Sequence, residues 1–134
     1  MTKISVILPV LPHSTQTYQT VFNLLSQNLT EIEVLAAGNT EIGDWAKILP
    51  IETGYDPRLR IIDAKGITEA AIKNEAMQQS TGEYLIFIHP GDRMLPQMLA
   101  MLYNLASRYR LDAAGCGYAF LQTQAGMPRP GRQD

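Results

Sequence analysis

A chain of 134 residues, of which 46% are hydrophobic, is long enough for one domain with a buried core. The net charge of −2 and the charged fraction of 18% exclude the basic footprint of a protein that binds nucleic acid or an anionic membrane. The single cysteine, Cys116, excludes an internal disulfide and is predicted to be a buried packing residue. No apolar run approaches the roughly 18 residues of a membrane span, and no signal peptide is visible, so we expect a cytoplasmic location.

The first half of the chain alternates short strands with helices. Residues 3–8 form a β-rich run that Pro9 ends, and residues 31–36 form a second one. A helix is predicted between them, because apolar residues recur there at steps of three and four after a capping Ser14. A short helix around Trp45 follows the second strand. The apolar face of the first helix consists of Tyr18, Val21, Phe22, Leu25 and Leu29.

The second half continues the alternation. Residues 59–63 are a third strand, and Thr68 caps the helix that follows it. Gly82 is suited to the left-handed position after that helix. Residues 83–88 are the most hydrophobic run, which predicts a central strand buried on both faces of a parallel sheet, with Phe87 in the core.

A last helix and a last apolar run complete the pattern. Pro96 is well placed in the first turn of the helix, and residues 112–120 fit a further strand. The apolar residues of this helix are Met98, Leu99, Met101, Leu102, Leu105 and Tyr109. Its methionines, Met98 and Met101, and Met94 before the helix are expected in the core.

The order of the elements predicts the fold class. Strands that alternate with helices favour an α/β fold with three layers, α/β/α, in which helices cover both faces of a mostly parallel, Rossmann-like sheet. From about residue 121 the composition changes to Gln, Gly, Pro and Arg with no periodic apolar face. We therefore assign residues 1–120 to the domain and residues 121–134 either to a polar tail containing Pro and Gly or to the start of a missing half.

Four segments at the carboxyl ends of the predicted strands are candidates for a binding site: residues 9–13, 37–40, 63–66 and 89–92. Open α/β sheets bind their ligands at this edge. None of the four segments is a phosphate-binding loop, and none has the glycine spacing of a dinucleotide site. The residues alone therefore predict a small-molecule or nucleotide site and nothing narrower.

Six pieces of the chain carry a family resemblance through their order and spacing. They are residues 4–10, 31–40, 56–62, 73–74, 85–92 and 112–118. Within them, Asn74 stands eight residues before Gly82, and the most hydrophobic strand runs into His89-Pro90-Gly91-Asp92. Together the pieces resemble a family 2 glycosyltransferase with the GT-A fold, over roughly residues 3–120.

This resemblance implies partners and a reaction. The donor is a nucleotide sugar, usually a uridine diphosphate sugar, and a divalent metal, Mn²⁺ or Mg²⁺, accompanies it. By resemblance, Pro9, Lys73 and Asn74 lie at the donor-binding site, and His89 and Asp92 are the candidate metal ligands. The catalytic base belongs to an acceptor-binding half that would begin about where this chain ends, so no catalytic residue is assigned here.

Several acidic positions of the family pattern are replaced. The paired aspartates after the second strand are Ala36 and Ala37, and alanine cannot hydrogen-bond a base or a ribose. In the metal motif, Asp-x-Asp-Asp, His89 and Gly91 replace the first and third residues, so that only Asp92 keeps its carboxylate. The resemblance therefore describes a degenerate site.

Each candidate residue also has a purely structural interpretation. Asp92 is more simply a turn-capping residue than a metal ligand, because one carboxylate seldom holds Mg²⁺ or Mn²⁺ without partners. His89 is more simply a loop histidine than a replacement ligand. Lys73 either meets a phosphate or is a solvated helix lysine. Asn74, by resemblance, ties neighbouring loops together.

Two functions remain open. The first is a glycosyltransferase-like domain that transfers a sugar from a nucleotide diphosphate donor to an acceptor hydroxyl, incomplete or degenerate in this chain. The second is a non-catalytic binding module that keeps the fold, since fold does not imply function. The long apolar helix faces predict contact with a second copy of the chain or with the missing half.

Overall fold

The computed structural model of the chain describes residues 1–10, 16–39, 56–110, 113–115 and 120–123. Five sequence predictions concern residues that lie outside these ranges in whole or in part: Ser14 as a helix cap, the helix around Trp45, the burial of Cys116, the candidate segment 9–13 beyond residue 10 and the tail beyond residue 123.

Six strands form one sheet in the described part of the chain: β1 (Ile4–Pro9), β2 (Ile32–Gly38), β3 (Leu59–Asp63), β4 (Tyr84–Phe87), β5 (Ala113–Gly115) and β6 (Phe120–Thr123). They lie in the order β3-β2-β1-β4-β6-β5. The first four run parallel, whereas β6 pairs antiparallel with both β4 and β5. This confirms the prediction of a mostly parallel sheet with its most hydrophobic strand in the interior.

Helices cover both faces of this sheet. They are α1 (Thr17–Leu25), α2 (Glu69–Gln79) and α3 (Met98–Arg108). α1 and α3 pack on one face with Val6 and Leu8 of β1, and α2 packs on the other face with Ile7. The alternation follows from the strand period of two, and it buries β1 completely. Each fully buried aliphatic side chain contributes about 1.5–3 kcal/mol.

A buried polar network ties the amino ends of the strands together around Glu33, which is 6% exposed. Its carboxylate accepts hydrogen bonds from the hydroxyl of Ser5 (2.6 Å), from the backbone N–H of Thr81 (2.7 Å) and from the guanidinium of Arg60 (2.9 Å). Burial alone would raise the pKa of Glu33, but these hydrogen bonds together hold it below its usual value. Glu33 is therefore a charged group in the native state.

The position of Gly82 requires a glycine because of limited space, and not because of its backbone conformation as predicted. Thr68 caps α2 as expected, its side chain accepting a hydrogen bond from the N–H of Ala71. The left-handed conformation expected of Gly82 is wrong, because Gly91 is the glycine with positive φ among the described residues. A β-carbon at Gly82 would instead lie 2.7 Å from the backbone N of Ser5, so the position lacks room for any side chain.

The apolar faces of two helices are rotated from the predicted ones. Phe22 was expected to face the core but is 61% exposed, and Leu24 is buried in its place. On α3 the burial of Met101 was also predicted wrongly, because Leu102 and Ala106 contact the sheet. Periodicity defines a broad stripe, and only the part of it nearest the sheet is buried. The exposed remainder of the α3 stripe is Met101, Leu105 and Tyr109, whereas Met94 is buried and Met98 is partly buried, as expected.

Two boundaries near the carboxyl end differ from the predicted ones. Pro96 precedes α3, which begins at Met98. The run 112–120 is not one strand, because its ends belong to the antiparallel strands β5 and β6. β6 ends at Thr123. Because β5 and β6 are antiparallel, the chain passes from one to the other without a further crossover helix.

Candidate functional site

Open α/β sheets bind ligands in a crevice outside the carboxyl ends of the strands where the strand order reverses, and in this sheet that point is between β1 and β4. β2 and β3 extend the sheet on one side of β1, whereas β4 lies on its other side, so the strand order reverses here. Two backbone hydrogen bonds hold the exits of the strands beside each other. The N–H of Val10 donates to the carbonyl of Ala37 (2.7 Å), and the N–H of Ile88 donates to that of Ile7 (3.0 Å). Pro9, the last residue of β1, is thereby placed beside the crevice.

Three ionisable side chains meet at this edge. Oε1 of Glu69, the first residue of α2, lies 3.2 Å from Nε2 of His89. Oε2 of the same carboxylate lies 3.4 Å from Nζ of Lys73, one helical turn later. The ammonium of Lys73 also lies 5.5 Å from the centre of the Phe87 ring, within the range of a cation–π contact. The structure therefore brings Lys73 and His89 together through Glu69, a residue that sequence analysis did not single out.

The turn after β4 is closed by its own residues. The N–H of Asp92 donates to the carbonyl of His89 (3.0 Å), and the N–H of His89 donates to Oδ2 of Asp92 (3.0 Å). Gly91 within this turn has φ of 99°, a region that side-chain-bearing residues rarely adopt. Asp92 thus acts as a turn cap, and its role as a metal ligand stays a prediction.

The described residues do not assemble a site for a hard cation. Mg²⁺ and related ions need several oxygen ligands in a near-ideal arrangement. No group of three or more His, Cys, Asp or Glu side chains suited to a metal ion occurs within the described ranges. One oxygen of Asp92 is already used by the turn, and Gly91 has no side chain to offer.

Ala36 and Ala37 lie inside β2 and not after it. Both are fully buried, Ala36 among the residues that face α1 and Ala37 among those that face α2. A charged carboxylate would be costly at either position unless a ligand or a donor compensated it. The methyl groups therefore fit the packing of the ligand-free sheet.

Side chains of α1 and of the turn that follows it hold the segment after β4. The hydroxyl of Thr20 accepts a hydrogen bond from the N–H of Gly91 (2.8 Å), and the amide of Asn23 exchanges two hydrogen bonds with the backbone of Met94. Gln27, 4% exposed, donates to the carbonyl of Leu95 (3.0 Å). The sequence contains a signal for this role, since uncharged polar residues at positions 20, 23 and 27 repeat with the helical period.

Glu75 fixes the loop after β3. Its carboxylate accepts hydrogen bonds from the N–H groups of Lys65 (2.8 Å) and Gly66 (2.9 Å), which hold the pKa of Glu75 below its usual value. Asn39 also reaches this loop, donating to the carbonyl of Lys65. Asn74, the residue expected to tie loops, is exposed beside Glu75.

The order of the strands and the placement of helices on both faces are similar to those of the GT-A fold, as two solved structures show. Residues 1–349 of S. aureus TarS, in complex with UDP, superpose with a TM-score of 0.70 and 20% identity over 83% of this chain and 34% of that one. The mannosyltransferase PcManGT of Pyrobaculum calidifontis, in complex with GDP-Man and Mn²⁺, superposes with a TM-score of 0.69 and 17% identity. This match covers 85% of this chain and 35% of the PcManGT chain.

Sequence comparison points to the same class. No family model matches the chain. It is 23% identical over 114 residues to the uncharacterized glycosyltransferase YibD of Escherichia coli, and 24% identical over 115 residues to EpsJ of Bacillus subtilis, also an uncharacterized glycosyltransferase. These matches cover 85% and 86% of this chain, which spans 33% of the length of either relative. Within the described ranges, no helix combines the length and the apolar character needed to cross a membrane.

Proposed function

We propose that the chain is the donor-binding part of a glycosyltransferase and that a nucleoside diphosphate sugar binds in the crevice between β1 and β4. The observation that supports this most is the reversal of strand order at that point, in a fold shared with TarS in complex with UDP and PcManGT in complex with GDP-Man. Lys73 and His89 stand at the crevice as groups able to meet the diphosphate.

The reaction proposed is transfer of the sugar to an acceptor hydroxyl. The hydroxyl oxygen forms a bond to the anomeric carbon, and the bond from that carbon to the diphosphate breaks. The nucleoside diphosphate leaves with the bonding electrons, and a base takes the hydroxyl proton. This chain contributes binding and orientation of the donor. We assign the base to the acceptor-binding part of a longer protein, because the chain spans a third of its relatives.

A non-catalytic binding module is the second candidate. The burial of Ala36 and Ala37 favours it, because the carboxylates of the family pattern are replaced by methyl groups that complete the core. Such a module would keep the crevice without binding a nucleotide sugar. Nucleotide binding therefore distinguishes the two candidates.

Amide chemical shifts of the isotope-labelled chain, recorded during titration with UDP, GDP and their sugar conjugates, test the proposal. We expect saturable changes at Val10, Lys65 and His89, on the carboxyl edge, and none at Ser5 or Thr81, on the opposite edge. Adenosine, which lacks a diphosphate, is the matched control ligand. Changes confined to the opposite edge, or none with any nucleotide, would favour the binding module.

Transfer by the chain alone is expected to be absent. Incubation with UDP-GlcNAc or GDP-mannose and simple sugar acceptors should release no nucleoside diphosphate above the rate without protein, because the base is not assigned to this chain. Release that depends on the chain and on an acceptor would show that the described fold already contains the base.

A further inference from the structure

We infer that the crevice binds the diphosphate of its ligand through Lys73 and His89 without a divalent ion, and that Glu69 takes the place of the diphosphate in the ligand-free chain. This inference rests on the proposed function. It assigns to Glu69 the role of a displaceable internal anion.

Lys73 and His89 are arranged as in a site for an anion, and the carboxylate of Glu69 occupies that site. Nε2 of His89 and Nζ of Lys73 face different oxygen atoms of Glu69, at 3.2 and 3.4 Å. Two nitrogen atoms that share one carboxylate in this way are spaced to share two oxygens of one phosphate group. Lysine binds phosphate as a point charge, and the imidazole N–H donates a hydrogen bond whether or not the ring is charged.

The position of the cluster agrees with this role. His89 lies two residues after the end of β4, at the point of strand reversal, and the ring of Phe87 contacts Lys73 on the same side. The contact with the ring does not involve Glu69, so it can hold the ammonium of Lys73 in place when Glu69 is displaced. A cation held in advance loses less conformational entropy when it binds an anion.

The same residues argue against a metal at this place. Gly91, which occupies the carboxylate position of the family pattern, offers no ligand, and Oδ2 of Asp92 accepts the N–H of His89. Negative charge on a diphosphate still needs compensation in the crevice. Lys73 supplies a positive charge there, and His89 supplies a hydrogen-bond donor beside it.

Displacing Glu69 costs little. Its side chain is 42% exposed and that of His89 is 48% exposed, and ion pairs in such positions contribute little to stability because water and salt screen them. A diphosphate, with more charge and more acceptor oxygens, competes well for the same two nitrogen atoms. Once released, the carboxylate of Glu69 remains in contact with solvent.

Calorimetric titration with UDP and with inorganic pyrophosphate, in EDTA and separately in Mn²⁺, tests the inference. The wild-type chain should bind UDP equally well in both. E69Q should bind both probes roughly fivefold more tightly in EDTA, because the competing charge is gone, and K73Q should bind them roughly tenfold more weakly. E83Q removes the same charge at the amino end of β4 and should leave both affinities unchanged. Circular dichroism melting shows that each variant is folded.

The outcomes separate this inference from the proposed function. UDP binding that requires Mn²⁺ and is weakened by E69Q would make Glu69 a metal ligand, which overturns the inference and leaves the function standing. UDP binding that neither E69Q nor K73Q changes would also overturn the inference alone. Failure of every folded variant to bind UDP and pyrophosphate would overturn both.

Discussion

The hydroxyl of Thr20 in α1 accepts a hydrogen bond of 2.8 Å from the backbone N–H of Gly91, 71 residues further along the chain. This contact fixes the turn at the end of β4 against a helix on the adjacent face of the sheet. The crevice therefore depends on α1 as much as on the strands that form its walls.

The conformation of Gly91 predicts the effect of restoring an acidic residue there. G91D places a side chain at φ of 99°, and its β-carbon would lie 2.6 Å from Oε1 of Gln16. We expect a loss of about 1–3 kcal/mol in the free energy of unfolding and no gain of Mn²⁺ affinity. Urea unfolding and calorimetry measure the two. G91A, which adds the strain without the carboxylate, is the control, and a stable G91D chain with tight Mn²⁺ binding would contradict the prediction.

Two threonines of α1 form a matched pair for a second prediction. Both are 1% exposed, but Thr20 has its hydrogen bond, whereas the hydroxyl of Thr17 has no partner within the described residues. T20V leaves the N–H of Gly91 unpaired and should destabilise the chain by about 1–3 kcal/mol. T17V removes an unsatisfied hydroxyl and should be neutral or stabilising. Equal melting temperatures for the two variants would show that the Thr20 contact is unimportant.

The fold was predictable because parallel sheets leave a strong pattern. β1 and β4 lie in continuous apolar runs that only a strand buried on both faces explains, and helical segments separate them. The turn-capping role of Asp92 was predictable too, since aspartate often closes turns with its own side chain.

Much of the site was not predictable, because it depends on contacts between distant residues. The partners of Asn23 and Gln27 lie about 70 positions away in the chain. From the sequence alone, the two amides are therefore indistinguishable from solvent-exposed helix side chains. Glu69 became a candidate only when the fold placed it beside His89. Periodicity also does not determine which edge of an apolar stripe is buried. For this reason Phe22 was predicted to lie in the core but is exposed.

An aspartate introduced at Ile86 should affect stability more than one introduced at the adjacent residue of β4, Phe87. Ile86 is fully buried, so I86D would place an unpaired charge in the core and cost an amount comparable with the whole stability of a domain, about 5–15 kcal/mol. Phe87, expected in the core, is instead partly exposed beneath Lys73. F87D can approach that ammonium, so we expect a folded but weakened chain. Soluble expression and thermal melting check this, and an F87D chain as unfolded as I86D would refute it.

The exposed stripe of α3 predicts self-association. Met101, Leu105 and Tyr109 are 52%, 42% and 62% exposed and recur every four residues, which places them along one side of the helix. We expect the chain to show a mass above that of the monomer at high concentration in sedimentation experiments. The double variant M101Q/L105Q should lower that mass, and a matched change at Ile67, which is exposed on the other face, should not. A wild-type chain that stays monomeric would contradict the prediction.

The last prediction concerns the pH dependence of stability, through Glu33. Its carboxylate has a pKa below the ordinary value of 4.5, because the hydrogen bonds from Ser5, Thr81 and Arg60 outweigh the effect of burial. A lowered pKa in the folded state means that the carboxylate stabilises the fold above pH 4.5, and that this stabilisation is lost as the pH falls through the folded-state value.

E33Q should therefore be less stable than the wild type by about 1–3 kcal/mol at neutral pH, because it removes a charged acceptor from the buried network. The difference should shrink progressively below pH 4.5, where the wild-type carboxylate loses its advantage. E31Q is the control, since Glu31 forms an exposed pair with Lys3 that contributes little. Urea unfolding across this pH range measures all three chains. A difference between E33Q and the wild type that stays constant down to acidic pH would show that Glu33 acts through its shape and not through its charge.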